Sequence, residues 1–303
     1  MIKKYKYHMF LILAALIWGF AFAFQRVGMK YIEPFAYNGI RFGLGAISLL
    51  PMIIFQGKST NKEKVASRST YLIYGIIAGI LIFAGSSFQQ VGLINTEAGK
   101  AGFITDLYIV IVPIMGIAIS KSKIKINSIM GALVAAVGLY FLCVNKKFSV
   151  SQSDFLVFAS AFFFALHILF IDYVSKKVDS LKLAFLQYFT CSFVSIIISL
   201  ITERVNAQNI LSSSVPIIYG GVFSVGIAYT LQIMGQKGVE PTSASIILSL
   251  ESVFAAVGGF LILDERLEEK AAVGCILMFL GIIISQIKIN YTDESKITIN
   301  DNK

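Results

Sequence analysis

Charge is what this chain has least of. Only 14% of its 303 residues are Asp, Glu, Lys or Arg, against 56% hydrophobic, where soluble domains average about 25% charged. That leaves too few polar side chains to coat one or two water-soluble domains of this length. Cysteine is scarce too. Cys143, Cys191 and Cys275 are odd in number, far apart and set in apolar runs. They supply neither a disulfide framework nor a metal-ligand spacing, and read as small packing residues. The G-x-x-x-x-G-K-[ST] loop is missing, which excludes ATP hydrolysis by that route. H-E-x-x-H, C-x-x-C and nucleophile-elbow motifs are missing as well. Polar stretches between apolar runs are short and leave no room for a catalytic domain. The sequence therefore points away from an enzyme and implies no cofactor and no metal.

What is present in quantity is long apolar sequence, with a mean hydropathy of +0.78. A membrane-spanning helix needs about 20 apolar residues. Ten segments meet that need: Met9–Val27, Pro34–Phe55, Tyr71–Leu93, Glu97–Ile119, Asn127–Val144, Asp154–Tyr173, Leu181–Ile201, Val215–Met234, Thr242–Leu263 and Lys270–Ile287. The expected fold is an all-α membrane protein with ten transmembrane helices. Lys3, Lys4 and Lys6 before an apolar run resemble a signal peptide, but the run continues to Phe24 without a small-residue cleavage site, so it reads as the first span. Pro34, Pro216 and Pro241 stand at or next to first turns, where a missing N–H does no harm. Asp154 and Thr242 are the expected N-caps. Residues 289–303 form a polar tail.

The net charge of +9 is explained by its distribution rather than by nucleic acid. With ten helices and a cytoplasmic N-terminus, seventeen Lys and Arg fall on the inner side and eight on the outer, with Arg41 inside a helix. This bias predicts two cytoplasmic termini in a plasma-membrane protein. Lys58–Arg68 reads as a basic loop at the lipid headgroups.

Sliding the chain by 146 residues aligns Ala15 with Ala161, Lys30 with Lys176, Gly75 with Gly221, Gln90 with Gln236 and Gly92 with Gly238. An offset of 143 then aligns Ala101 with Ala244, Ile104 with Ile247, Leu107 with Leu250 and Gly116 with Gly259. The halves are 1–145 and 146–288, with five helices each. Five is odd, so the second half enters the membrane from the opposite side, giving two inverted five-helix repeats.

The halves and their motifs resemble the EamA-type transporters of the drug/metabolite transporter superfamily. The resemblance rests on Ile17-Trp18-Gly19, Arg41-Phe42, Gln89-Gln90-Val91-Gly92-Leu93, Phe103-Ile104-Thr105-Asp106-Leu107-Tyr108 with Pro113, and Leu250-Glu251-Ser252-Val253-Phe254-Ala255-Ala256 with Glu265 closing that helix. It covers roughly residues 9–288 and implies a carrier with a central cavity between the halves. Ser252 departs from the pattern, where proline is frequent; a straighter ninth helix is expected from it.

The stretch Thr96–Pro113 has the length of a span yet contains Lys100 and Asp106. Charged groups in hydrocarbon cost roughly 2.5–3.5 kcal/mol each on insertion scales and usually face a bundle interior. Asp106 sits near mid-span. Lys100, about 240° away around the helix, is expected at the outer mouth. Glu251 lies about 13 Å into its helix, also near the midplane; it reads as a proton, cation or amine site, or as a buried carboxylate satisfied by a neighbour. Arg41 is a natural counter-ion for Asp106 or for a substrate carboxylate, and equally a partner in a structural ion pair. Pro113 removes the bond to the Ile109 carbonyl and should kink the fourth helix. Trp18, Phe22 and Gln25 share one helix face. His167 is a candidate proton relay. Tyr108 belongs to the motif carrying Asp106. Gln89, Gln187, Tyr188, Tyr229 and Gln232 either line the path or bridge helices. Gly131 and Gly138, repeated as Gly274 and Gly281, read as close helix packing.

The functional expectation is a secondary transporter, an exporter or exchanger of a small and amino-acid-like metabolite. Protonation of Glu251 would couple it to the proton gradient, since a neutral carboxyl crosses a dry intermediate more cheaply than a carboxylate. The expected partners are that metabolite and the bilayer, with the protein a monomer or homodimer. The rival readings are a flippase or lipid-head-group protein and a passive channel.

Overall fold

The computed structural model describes residues 2–55, 67–120, 125–143, 151–265 and 270–287. The polar tail, most of the Lys58–Arg68 loop and the boundary between the halves lie outside the described residues. Every regular element among the described residues is helical. In chain order they are α1 (Ile2–Gly28), α2 (Pro34–Phe55), α3 (Arg68–Gly92), α4 (Ala98–Asp106), α5 (Tyr108–Ser120), α6 (Ile126–Cys143), α7 (Gln152–Ser175), α8 (Ser180–Thr202), α9 (Ala207–Ser212), α10 (Ser214–Ile218), a π-helical segment (Tyr219–Tyr229), α11 (Thr230–Gln236), α12 (Pro241–Leu248), α13 (Glu251–Leu263) and α14 (Ala271–Gln286).

Eight stretches among the described residues are long and apolar enough to cross a membrane. Three of them are composite: Ala98–Ile119 joins α4 and α5, Ser214–Gln236 runs from α10 to α11, and Pro241–Leu263 joins α12 and α13. The apolar helices Ile126–Phe141 and Ala272–Ser285 are shorter. At 1.5 Å per residue such helices reach about 24 Å, less than a hydrocarbon core of about 30 Å.

These two short helices pack against each other. A Cβ at Gly131 would lie 2.6 Å from the Gly281 carbonyl oxygen, and one at Gly138 would lie 2.7 Å from that of Gly274. The paired glycines therefore meet face to face and let α6 and α14 touch backbone to backbone. Elsewhere α2 packs on α8, α3 on α7 and α8, and α1 on α13. The main core joins Leu11, Phe42, Ile82, Ile171, Leu183 and Ile233, while a second cluster gathers Leu93, Ile109, Leu139 and Ile246 around α4, α6 and α13.

Helix starts correct two expectations. Ser151, not Asp154, caps α7; Asp154 is the acidic partner of a capping box three residues on, a reciprocal arrangement that satisfies two orphan N–H groups. Glu240, not Thr242, stands at the cap position of α12 and Pro241 takes its first turn, because a proline loses nothing there.

Candidate functional site

Two helices break in mid-bundle, and the site is built on the breaks. Between α4 and α5 the Leu107 N–H turns to Ile104 O (3.3 Å), three residues back. Between α12 and α13 the Leu250 N–H turns likewise to Ile247 O (3.2 Å). Leu107 and Leu250 have nearly the same backbone angles, φ −57° and ψ −13° against φ −58° and ψ −14°. Pro113 does not end a helix. α5 runs through Pro113 without interruption, and the tightened turn sits six residues earlier. The span carrying Ser252 divides at Ser249 and Leu250.

The breaks bring four side chains together. Asp106 Oδ2 accepts from the Ser252 N–H (3.2 Å) and from the Ser252 hydroxyl. It thus caps the positive end of half-helix α13. A proline at 252 would offer neither donor. Glu251 immediately precedes Ser252 in the chain, and its Oε1 accepts from the Tyr108 hydroxyl at 3.3 Å. Gly19 of the Ile17-Trp18-Gly19 motif lets α1 approach here, for a Cβ on it would lie 2.7 Å from the Glu251 carbonyl oxygen.

Glu251 and Tyr108 face a cavity. Its volume is about 40 Å³. The space is therefore small. Trp18, Arg41, Gln89, His167 and Tyr229 line it, as do Phe22, Gln25 and Gln232. Trp18 Nε1 donates to the Ser224 carbonyl (3.1 Å) on the π-helical segment, and its ring meets Tyr229 edge-on at 4.6 Å. Gln89 Nε2 donates to Thr105 Oγ1 (3.1 Å). His167 Nε2 lies 3.1 Å from Gln187 Oε1. Arg41, 2% exposed, gives its Nε–H to Asn38 Oδ1 (2.9 Å) and lies over the rings of Phe42 and Tyr37. Arg41 thus has a neutral amide as its hydrogen-bond partner, not Asp106, the counter-ion considered for it.

Other expected residues lie elsewhere. Lys100 points away from Asp106 and pairs with Asp154 on the first turn of α7 at 2.7 Å. Gln187 touches the cavity only through His167. Pro113 is buried in α5 and does not line the space. Tyr188 bridges helices, its hydroxyl 3.0 Å from Thr230 Oγ1. The sequence did not mark Phe164, Ser224 or Leu248 as lining residues. Ser224 lies on the π-helical segment, and no local motif announces it.

A bundle of helices long and apolar enough to cross a membrane, packed around a cavity where two spans break, makes this a multi-pass membrane protein. The chain belongs to the EamA-like transporter family, whose model matches it twice, over residues 5–144 and 151–286. An uncharacterized transporter of Archaeoglobus fulgidus is 31% identical over 92% of this chain and 85% of its own length. The uncharacterized transporter YoaV of Bacillus subtilis is 21% identical over 91% of this chain and 94% of its own. One crystal structure superposes with a TM-score of 0.75 at 15% identity, covering 93% of this chain and 97% of that one.

Proposed function

We propose that this chain is a secondary active transporter that moves a small metabolite by alternating access between two inverted five-helix repeats. The observation that carries the reading is the cavity at the two helix breaks. The breaks fall at Leu107 and Leu250, 143 residues apart, the offset that aligns the second part of each half. Glu97 and Glu240 share that offset and nearly the same cap geometry, φ −61° and ψ 148° against φ −62° and ψ 148°. Ten passes, both termini cytoplasmic and a plasma-membrane location complete the proposal.

The cavity reaches toward the end of the bundle where α1 finishes, through Gln25, Arg41 and Gln89. On the other side Leu11, Ile171, Leu183 and Ile233 are fully buried and fill the bundle. Arg41 and Glu251 supply opposite charges along one cavity, with Trp18, Phe164 and Tyr229 as apolar wall. A molecule carrying a carboxylate, an amine and a modest apolar side chain satisfies all three, so the substrate is amino-acid-like, exported or exchanged. Glu251 takes its amine or the coupling proton.

Liposomes loaded with unlabelled amino acids test this. Saturable counterflow of a labelled amino acid is expected, with Glu251→Gln reducing it at least tenfold, about 1.4 kcal/mol or more. Flux that rises linearly with concentration and shows no counterflow would instead establish a channel.

A further inference from the structure

Asp106 has no role in a cavity it does not line. It is fully buried, and among the described residues neither it nor Glu251 makes an ion pair. Its Oδ2 is held by both donors of Ser252. Its Oδ1 is equally dry and accepts no hydrogen bond. Ser252 is bonded through the chain to Glu251, and Glu251 is bound by Tyr108, two residues after Asp106. The four side chains thus close a ring across the two breaks.

Something positive completes such a ring. One charge removed from water without a partner costs several kcal/mol, and two adjacent carboxylates cost more. A metal cation would need a shell of oxygen lone pairs. Here the Ser252 N–H, the Ser252 hydroxyl and the Tyr108 hydroxyl all turn hydrogens toward the carboxyls. A proton suits the geometry: it cancels one charge and supplies the donor that Oδ1 lacks. The charged or titratable groups that neighbouring elements bring to this cavity are Arg41 from α2, Tyr108 from α5, His167 from α7 and Tyr229 from the π-helical segment. The other elements bring Trp18 and Gln25 (α1), Gln89 (α3) and Leu248 (α12).

We infer that Asp106 and Glu251 form one site that holds a single exchangeable proton across the two helix breaks. Glu251 meets the cavity and exchanges the proton. Asp106 is the dry member, fixed by Ser252, that keeps a second charge beside it. The proton's use in coupling rests on the carrier reading; its binding does not.

The chain carries its own reporter, because Trp18 is the sole tryptophan and lines the same cavity. Trp18 fluorescence of the purified full-length protein in detergent would be titrated between about pH 4 and 9, the range spanning carboxyl and imidazole values. One transition is expected. Glu251→Gln should abolish it, Asp106→Asn should move its midpoint by at least about one pH unit, as for strongly interacting sites, and His167→Gln should leave it in place. A transition that survives Glu251→Gln, or one unmoved by Asp106→Asn, overturns the proposal; loss in His167→Gln gives the signal to histidine and also overturns it. Should a variant fail to fold, infrared titration of the wild type decides, since a protonated-carboxyl band must appear and vanish over that transition. A flat titration in a protein that still shows counterflow rejects the proton site and leaves the carrier standing. A titrating protein without counterflow does the reverse.

Discussion

Arg41 shows how a single charge is kept inside this bundle. Its residue neighbours are neutral: Asn38 one turn earlier accepts from Nε, and Asn38 Nδ2 passes the link on to the Ser86 carbonyl of α3 at 3.1 Å. The Phe42 ring lies 4.9 Å from the guanidinium carbon, close enough for a cation–π contribution. Asn38 is thus an orienting residue, fully buried, that aims the guanidinium at the cavity. Asn38→Ala leaves a charged donor without its acceptor, which costs about 1.5–3 kcal/mol. A lower melting temperature in detergent is the expected outcome, with Asn38→Asp recovering most of it because an acceptor returns. Equal melting of Asn38→Ala and wild type would remove Asn38 from this role.

Elements show which parts of the fold were legible in the sequence. Apolar runs located the spans, since burial in lipid demands length and hydropathy. The glycine pairs predicted close helix packing, because only a missing Cβ admits a carbonyl at such range, but that α6 and α14 are the helices that meet is seen only in the structure. That contact is testable: Gly138→Val forces side-chain volume into the Gly274 backbone and should destabilise the protein by roughly 1–3 kcal/mol, read as a drop in thermal denaturation midpoint. The helix breaks were not legible. Pro113 marked an expected kink, not this break, and in a packed span its missing N–H is tolerated within α5. The real break is at Leu107, a good helix former, and is fixed by tertiary contact between Asp106 and Ser252. Asp106 and Glu251 stood out as mid-span carboxyls. That they meet, and that Ser252 ties them, depends on a contact 146 residues apart in sequence, which no local pattern encodes. The π-helical segment is equally silent, its sequence being ordinary apolar helix.

At the scale of the whole molecule the two halves are tied at both ends. At the end where α1 finishes, Arg26 pairs with Glu265 at 2.6 Å, and Glu265 also accepts from the Ala98 and Gly99 N–H groups at the start of α4. Lys100 and Asp154 form a second tie there. At the opposite end Lys125 meets Glu240 at 2.6 Å, with 64% and 58% of their side chains exposed. In each pair the cation belongs to the first half and the carboxylate to the second. An exposed pair contributes only about 0–1 kcal/mol, so Lys125 and Glu240 can part readily. The proposed alternating access requires that they do, because the cavity, with Leu11 and Ile233 buried beneath it, would have to open on their side. Lys125→Cys and Glu240→Cys, in a background without Cys143, Cys191 and Cys275, can be joined by a short thiol crosslinker. Crosslinking should cut counterflow at least tenfold, and cleaving the linker should restore it. Full counterflow in the crosslinked protein would mean that the two halves need not separate there, and alternating access by these repeats would be wrong.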